Sequence, residues 1–368
     1  MNEANLKSGA TLREPAELVA HGLAPAATLP ALERVAERYA VAVTAEIAAL
    51  INPGDPDDPI ARQFIPSAEE LVKGPSERAD PIGDDAHSPI AGIVHRYPDR
   101  VLFKLVHVCA VYCRFCFRRE TVGPGKATAL SQTAYDDALG YIRAHSEIWE
   151  VILTGGDPLM LSPRRLAEIM RDLADIDHVR IIRIHTRVPV ADPARISREM
   201  IAALKVAGAT TWVVLHANHA RELTERARTA CAGMIDGGIP MLSQSVLLRG
   251  VNDNVEALEA LMRALVECRI KPYYLHHGDL APGTAHLRTT LEHGQGLIRA
   301  LRGRVSGLCQ PEYVLDIPGG HGKAPVGPTY LSRASGPDSF SREGEAGAET
   351  RYRVADYCGD VHLYPPEP

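Results

Sequence analysis

Seven short β-rich runs, spaced over about 220 residues and separated by helical stretches, restrict this chain to an α/β architecture on a parallel sheet. They are VLFKLVH (101–107), EVILT (150–154), VRIIRIH (179–185), TWVVLH (211–216), PMLSQSVLL (240–248), PYYLHH (272–277) and YVLDI (313–317). Apolar spacing predicts helices over 133–147, 163–175, 219–237, 254–268 and 290–302. Ser162-Pro163 supplies an N-cap and first-turn pair, and Ser197 caps a further helix. Seven strands fall short of the eight that close a barrel, so a partial, open parallel β/α barrel is expected over 96–330. Residues 1–95 read as a helical N-terminal extension, with helical spacing over 31–51 and a capping box at Ser67-Ala68-Glu69-Glu70. Residues 331–368 read as a short tail. Its polar stretch 332–351 is expected to be flexible, and the final YRVADYCGDVHLYPPEP is apolar enough to dock.

Composition removes several function classes. The 368 residues are 45% hydrophobic and 23% charged, ordinary values for a folded chain. Forty basic residues against 46 acidic ones leave a net charge of -6, which gives no basic footprint for nucleic acid. Only 5% of residues are aromatic, too few for a base-stacking surface. No apolar run reaches the roughly 18 residues of a membrane span. The start, MNEANLKSGATLREP, lacks the apolar core of a signal peptide, so a cytoplasmic protein is expected.

In a reducing compartment, clustered cysteines point to a soft metal centre. Cys231, Cys268, Cys309 and Cys358 are scattered, whereas Cys109, Cys113 and Cys116 share C-x3-C-x2-C spacing directly after the first β run. Three thiolates can hold a four-iron cluster and leave one iron open. A structural zinc site or three buried thiols are the alternatives. Zinc takes four ligands, and no fourth Cys or His has suitable local spacing, His107 lying on the predicted strand. Thr154-Gly155-Gly156-Asp157 ends the second run. Its glycines allow close backbone approach to a ligand and Asp157 supplies an acceptor, or the segment is a tight turn with an Asp N-cap. Lys323 lies in DIPGGHGKAP, which is not a phosphate-binding Walker loop because Ile317 and Ala324 stand where Gly and Ser or Thr are required.

Taken in order, HRYPDR (95–100), CAVYCRFCFRR (109–119), LTGGDPL (153–159), LHANH (215–219), QSVLLRGVND (244–253), PYYLHHGDL (272–280) and DIPGGHGKAPV (316–326) resemble the lysine 2,3-aminomutase family of the radical S-adenosylmethionine (SAM) superfamily over roughly residues 50–330. The resemblance implies a 4Fe-4S cluster on Cys109, Cys113 and Cys116, with SAM on the open iron. It places Thr154, Gly155, Gly156, Asp157, His216 and Gln244 on the SAM side, with His185 and Arg187 near the same mouth. Lys323 would form a Schiff base with pyridoxal 5'-phosphate (PLP), whose phosphate would meet Arg96, Tyr97 and Arg100. Arg118, in preference to its neighbour Arg119, would bind the carboxylate of an amino acid substrate. Asp279 and Asp316 would bind the distal ammonium of lysine.

The implied reaction is a 1,2-amino shift between L-lysine and β-lysine, with an electron donor to reduce the cluster. An arginine-specific relative is an alternative. Clostridial-type relatives hold zinc between subunits through a Cys at the position of Asn254 and a Cys-rich tail. This tail has only Cys358, so no structural zinc is expected, and a homo-oligomer is allowed but not specified. The shortened tail, CAVYCRFCFRR, GGDPLM and PYYLH also resemble the branch that makes the β-lysine attached to elongation factor P. That branch favours Glu at the position of Asp316, so free lysine is the preferred substrate. A non-catalytic iron–sulfur or zinc-binding module is the reading from another class; it requires neither Lys323 nor the aspartate pair.

Overall fold

The computed structural model describes residues 9–123, 128–334 and 351–366. Nine strands form one sheet in sequence order: β1 (Ile93–Tyr97), β2 (Arg100–Val106), β3 (Glu150–Gly155), β4 (Ile181–Thr186), β5 (Thr210–His216), β6 (Met241–Val246), β7 (Lys271–His276), β8 (Glu312–Asp316) and β9 (Lys323–Pro325). Strands β2 to β8 are the seven expected parallel strands. The edges β1 and β9 add antiparallel pairings that the β runs did not reveal. The sheet curls into a half-barrel with helices outside.

Period-two alternation decides what faces inward. On β2, Phe103 and Leu105 are buried away from the central cavity, while Arg100 and Leu102 line it and Val101 touches its edge. On β3, Val151 and Leu153 are buried, while Ile152 and Thr154 line it. The same rule places Arg183 and His185 of β4, His216 of β5, Gln244 of β6 and Tyr274 and His276 of β7 on the cavity wall. Outer helices start where side chains can satisfy their first N–H groups. Ser131, Ser162, Ser197, Thr224, Asn254 and Thr290 each accept from a backbone N–H of the following turn. Asn254 therefore caps the helix Val255–Glu267.

Two expectations are corrected. The spacing over 31–51 does not give one helix. It breaks into Leu29–Ala36 and Ala45–Ala48. Between them Val43 pairs with Leu12 as an antiparallel bridge, and Thr44 caps the second helix. The β-branched pair around Ala42 and the Thr cap favour the break. The helix expected over 219–237 starts only at Glu225, after a 3-10 turn, Ala220–Glu222, capped by His219. The tail docks as a separate antiparallel sheet of β10 (Leu331–Arg333), β11 (Tyr352–Ala355) and β12 (Val361–Tyr364). Most of the stretch expected to be flexible lies outside the described residues.

Candidate active site

The inward-facing side chains enclose a cavity of about 570 Å³. It runs from Arg100, Trp149 and Glu150 at the start of β2 and β3 to the C-terminal ends of the parallel strands, where α/β sheets place their ligands. Cys109, Cys113 and Cys116 follow β2 there and all three line the cavity. Burial pushes the Cys113 thiol up to about 11 and raises Cys109 and Cys116 as well, and Cys116 adds to the rise at the other two. Among the described residues no three His, Cys, Asp or Glu side chains converge as ligands of a single ion. A four-iron cube offers its open valences at separate corners, so three soft thiols spread around one cavity suit a cluster better than one metal ion.

The glycines at the end of β3 line the cavity and also approach the neighbouring backbone closely. Gly155 has φ +112, and a Cβ there would sit 2.4 Å from the Val106 carbonyl oxygen; one on Gly156 would sit 2.2 Å from that of Val108. The close approach lets Gly156 and Asp157 donate N–H bonds of 2.5 and 2.9 Å to Val106 and Val108. The cysteine loop is thereby fixed to β3. Asp157 is used in the same way: its carboxylate accepts from Thr186 Oγ1 at 2.8 Å and from the N–H groups of Arg187 (2.7 Å), Leu159 (3.0 Å) and Val188 (3.2 Å). In this structure it ties the ends of β3 and β4 together, with no acceptor site left over for a ligand ammonium. Ligand-facing polarity comes instead from His185 and His216, whose Nε2 atoms are buried without a partner among the described residues. Burial holds both imidazoles well below their ordinary pKa, so they stay neutral. Gln244 Nε2 lies 3.4 Å from His185 Nδ1. Arg187 is buried; its guanidinium pairs with Glu222 and with Gln63 Oε1 at 2.9 Å.

Lys323 sits directly opposite Asp316 in the β8–β9 register, and its Nζ is 2.7 Å from Asp316 Oδ1. Asp316 Oδ2 lies 3.4 Å from His276 Nδ1. Burial works to raise the Asp316 pKa; His276 and Lys323 override it and hold the carboxyl far below the ordinary value. Asp279 faces the same cavity with no side-chain hydrogen bond among the described residues. Burial and the Asp316 charge push it up to about 7. Tyr97 Oη accepts the Lys323 N–H at 2.7 Å, Arg100 stacks 3.8 Å from the Tyr97 ring centroid, and Arg96 lies 3.9 Å from Asp316. The Nε of Arg96 and that of Arg118 are buried donors without partners among the described residues. A lysine amine beside a phenol and guanidiniums that each keep a free Nε donor is a set that fits an aldehyde carrying a phosphate.

Comparison with known proteins agrees with this geometry. The Radical SAM superfamily profile matches residues 103–262, and the Lysine-2,3-aminomutase profile matches 298–358. L-lysine 2,3-aminomutase of Clostridium subterminale is 43% identical over 79% of this chain and 70% of its own length. That of Methanococcus maripaludis is 39% identical over 89% and 76%. The chain belongs to the lysine 2,3-aminomutase family. It is therefore an isomerase with a radical SAM domain, and that superfamily carries a 4Fe-4S cluster and SAM. Glutamate 2,3-aminomutase of Clostridioides difficile is also similar, 35% identical over 82% of this chain and 70% of its own. Among solved structures, a radical SAM methyltransferase from Sphaerobacter thermophilus has a TM-score of 0.43 at 21% identity, over 61% of this chain and 68% of its own.

This aminomutase-family chain also uses residues that the sequence motifs passed over. Asp84, in the Pro, Gly and Asp-rich stretch before β1, meets both Arg96 (3.1 Å) and Arg118 (3.3 Å). Only the fold brings those three together. His276 was legible: alternation from Tyr274 puts it on the inner face of β7. Glu70 completes the capping box that Ser67 opens, and it also pairs with Arg114 and Arg119. That buried pairing explains why Arg118 faces the cavity and Arg119 does not line it.

Proposed function

We propose that this chain interconverts L-lysine and β-lysine in the cytoplasm, using a 4Fe-4S cluster, SAM and PLP. When bound, the cluster and SAM supply a radical that takes hydrogen from the substrate, and PLP supplies the conjugated system across which nitrogen migrates. Cys109, Cys113 and Cys116 hold the cluster. Thr154, Gly155, Gly156, His216 and Gln244 line the SAM side, and Asp157 keeps that wall in place. Lys323 holds PLP, Arg96 and Arg100 fix its phosphate end, and the Tyr97 phenol holds the Lys323 strand. Arg118 takes the substrate carboxylate.

The observation that carries the choice of lysine is the pair Asp279 and Asp316. Two carboxylates face one cavity, and one of them lacks a partner among the described residues. A substrate ammonium between them relieves their repulsion and favours ionised Asp279. The side-chain carboxylate of glutamate meets like charge there, so the glutamate-specific relative is the poorer guide.

The test is anaerobic. The cluster is reconstituted, SAM, PLP and a reductant are added, and L-lysine, L-arginine, L-glutamate or elongation factor P is supplied. Products are read by mass spectrometry. Multiple turnovers to β-lysine with lysine alone are expected. SAM cleavage without β-lysine would sink the free-lysine reading, and the arm that yields product would replace it.

A further inference from the structure

We propose that Asp84 is a positioning residue that couples the cofactor arginine, Arg96, to the substrate arginine, Arg118; the inference rests on the functional reading above. Each carboxylate oxygen meets a different guanidinium. Oδ1 accepts from Arg96 Nη2 at 3.1 Å, and Oδ2 accepts from Arg118 Nη2 at 3.3 Å. The three side chains are only 9–15% exposed, so water does not screen these pairs as it screens surface ones. Each arginine has further anchors: Arg96 Nη2 donates to Ile82 O at 2.8 Å and its Nη1 lies 3.9 Å from Asp316 Oδ1, and Arg118 Nη1 donates to Thr154 Oγ1 at 3.2 Å. Each also keeps a buried, unpaired Nε. Asp84 thus fixes one edge of two planar forks and leaves other donors for incoming anions.

Asp84 is itself held. Its N–H donates to Asp80 Oδ1 at 2.9 Å, and its carbonyl accepts from Ser88 Oγ at 2.8 Å. The same segment touches the Lys323 loop. Gly83 has φ +70, and a Cβ there would sit 2.2 Å from the Gly320 nitrogen; His87 Nε2 lies 2.9 Å from Gly320 O. Lys104, whose ammonium burial pushes down in pKa while Asp84 opposes, adds a third nearby cation. Removing the Asp84 charge leaves these cations facing one another, so PLP and lysine binding must weaken together.

The experiment uses the full-length, cluster-loaded protein. PLP affinity is read from absorbance during titration of PLP-free protein, and KM and kcat for L-lysine are read separately. Asp84→Asn is expected to weaken PLP binding and raise the lysine KM by about tenfold each, with kcat changed less than about threefold. In double variants with Arg96→Lys or Arg118→Lys, the effects are expected to be non-additive. Asp84→Glu keeps the charge with one extra methylene, and should move both constants together by a smaller factor. The inference is overturned if Asp84→Asn leaves both constants within about twofold, or lowers only the melting temperature or iron content. It is also overturned if either Asp84 variant moves one constant alone; this arm stands even where Asp84→Asn fails to fold. Wild-type protein that takes up no PLP overturns the functional reading and this inference with it. Uptake by wild type with unaltered Asp84 variants overturns the inference only.

Discussion

One cysteine-loop segment, CAVYCRFCFRR, feeds two arginine–carboxylate clusters that differ in whether they line the central cavity. In the first, Glu70 accepts from Arg114 Nε at 2.9 and 3.1 Å, from Arg114 Nη2 at 2.5 Å, from Arg119 Nη2, and from the Ser67 N–H at 2.8 Å. Arg114 Nη1 donates to Ala40 O and Arg119 Nη1 to Arg114 O, each at 2.8 Å, and Arg119 Nε is left buried without a partner among the described residues. Burial works to raise the Glu70 pKa, and the two guanidiniums override it and hold the carboxyl low. In the second, Asp84 shares its charge between Arg96 and Arg118, both beside a cavity and both with donors to spare. The cluster turned away from the cavity fixes the loop. The one on the cavity wall has donors to offer anions.

The largest effect expected from breaking this comparison is at Glu70. Glu70→Ala strands two buried guanidiniums, and breaking such a pair costs about 3–5 kcal/mol. Loss of soluble, cluster-binding protein is expected, read by denaturant unfolding and iron content. A variant that folds and holds iron like wild type would show that the first cluster is not structural.

Next in size is Arg118→Lys. An ammonium cannot reproduce a planar fork held by Asp84 and Thr154. The lysine KM is expected to rise by about 100-fold with unfolding and iron content unchanged. Equal loss of stability at Arg118 and Glu70 would erase the distinction between the clusters.

That distinction marks the limit of what the linear sequence discloses. The seven parallel strands were readable because each is a short β-rich run and most of them alternate with capped helices. The inner face followed from alternation, as in Glu150, Ile152 and Thr154 of β3. Edge strand β9 is three residues long and carries no periodic signal, yet it sets Lys323 opposite Asp316. The fate of each neighbouring arginine was also hidden. Arg118 and Arg119 are adjacent, and their partners, Asp84 and Glu70, lie 34 and 49 residues away along the chain. Asp157 shows the opposite failure: a residue type suited to ligand binding is consumed by four backbone and hydroxyl donors.

A third test turns on charge. Asp279 is pushed up to about 7 by burial and Asp316, against about 4 in an unfolded chain. The folded state therefore binds the extra proton. Its contribution to stability is fully present below about pH 4 and is lost as pH rises through about 7. Asp279→Asn should remove that loss, raising the melting temperature of the unloaded protein by a few degrees at pH 8 relative to wild type. Lysine affinity of the wild type should increase over the same rise, because an ionised Asp279 attracts the ammonium. A pH-independent stability difference between the two proteins would place the Asp279 charge outside this balance.

The smallest effect expected is at Tyr97, where it separates two roles. The Tyr97 phenol accepts the Lys323 N–H at 2.7 Å, while Arg100 rests on the ring face. Tyr97→Phe keeps the ring and the stacking surface and removes only the oxygen. Water can take over the exposed Lys323 N–H, so a neutral bond worth about 0.5–1.5 kcal/mol is at stake. Release of PLP, followed by its absorbance after dilution, is then expected to quicken only a few-fold. Release faster by more than about tenfold would exceed that bond and place the phenol against the PLP phosphate itself. Tyr97 would then belong with Arg96 and Arg118 among the donors left open to anions, and not with the atoms that only hold the Lys323 strand in position.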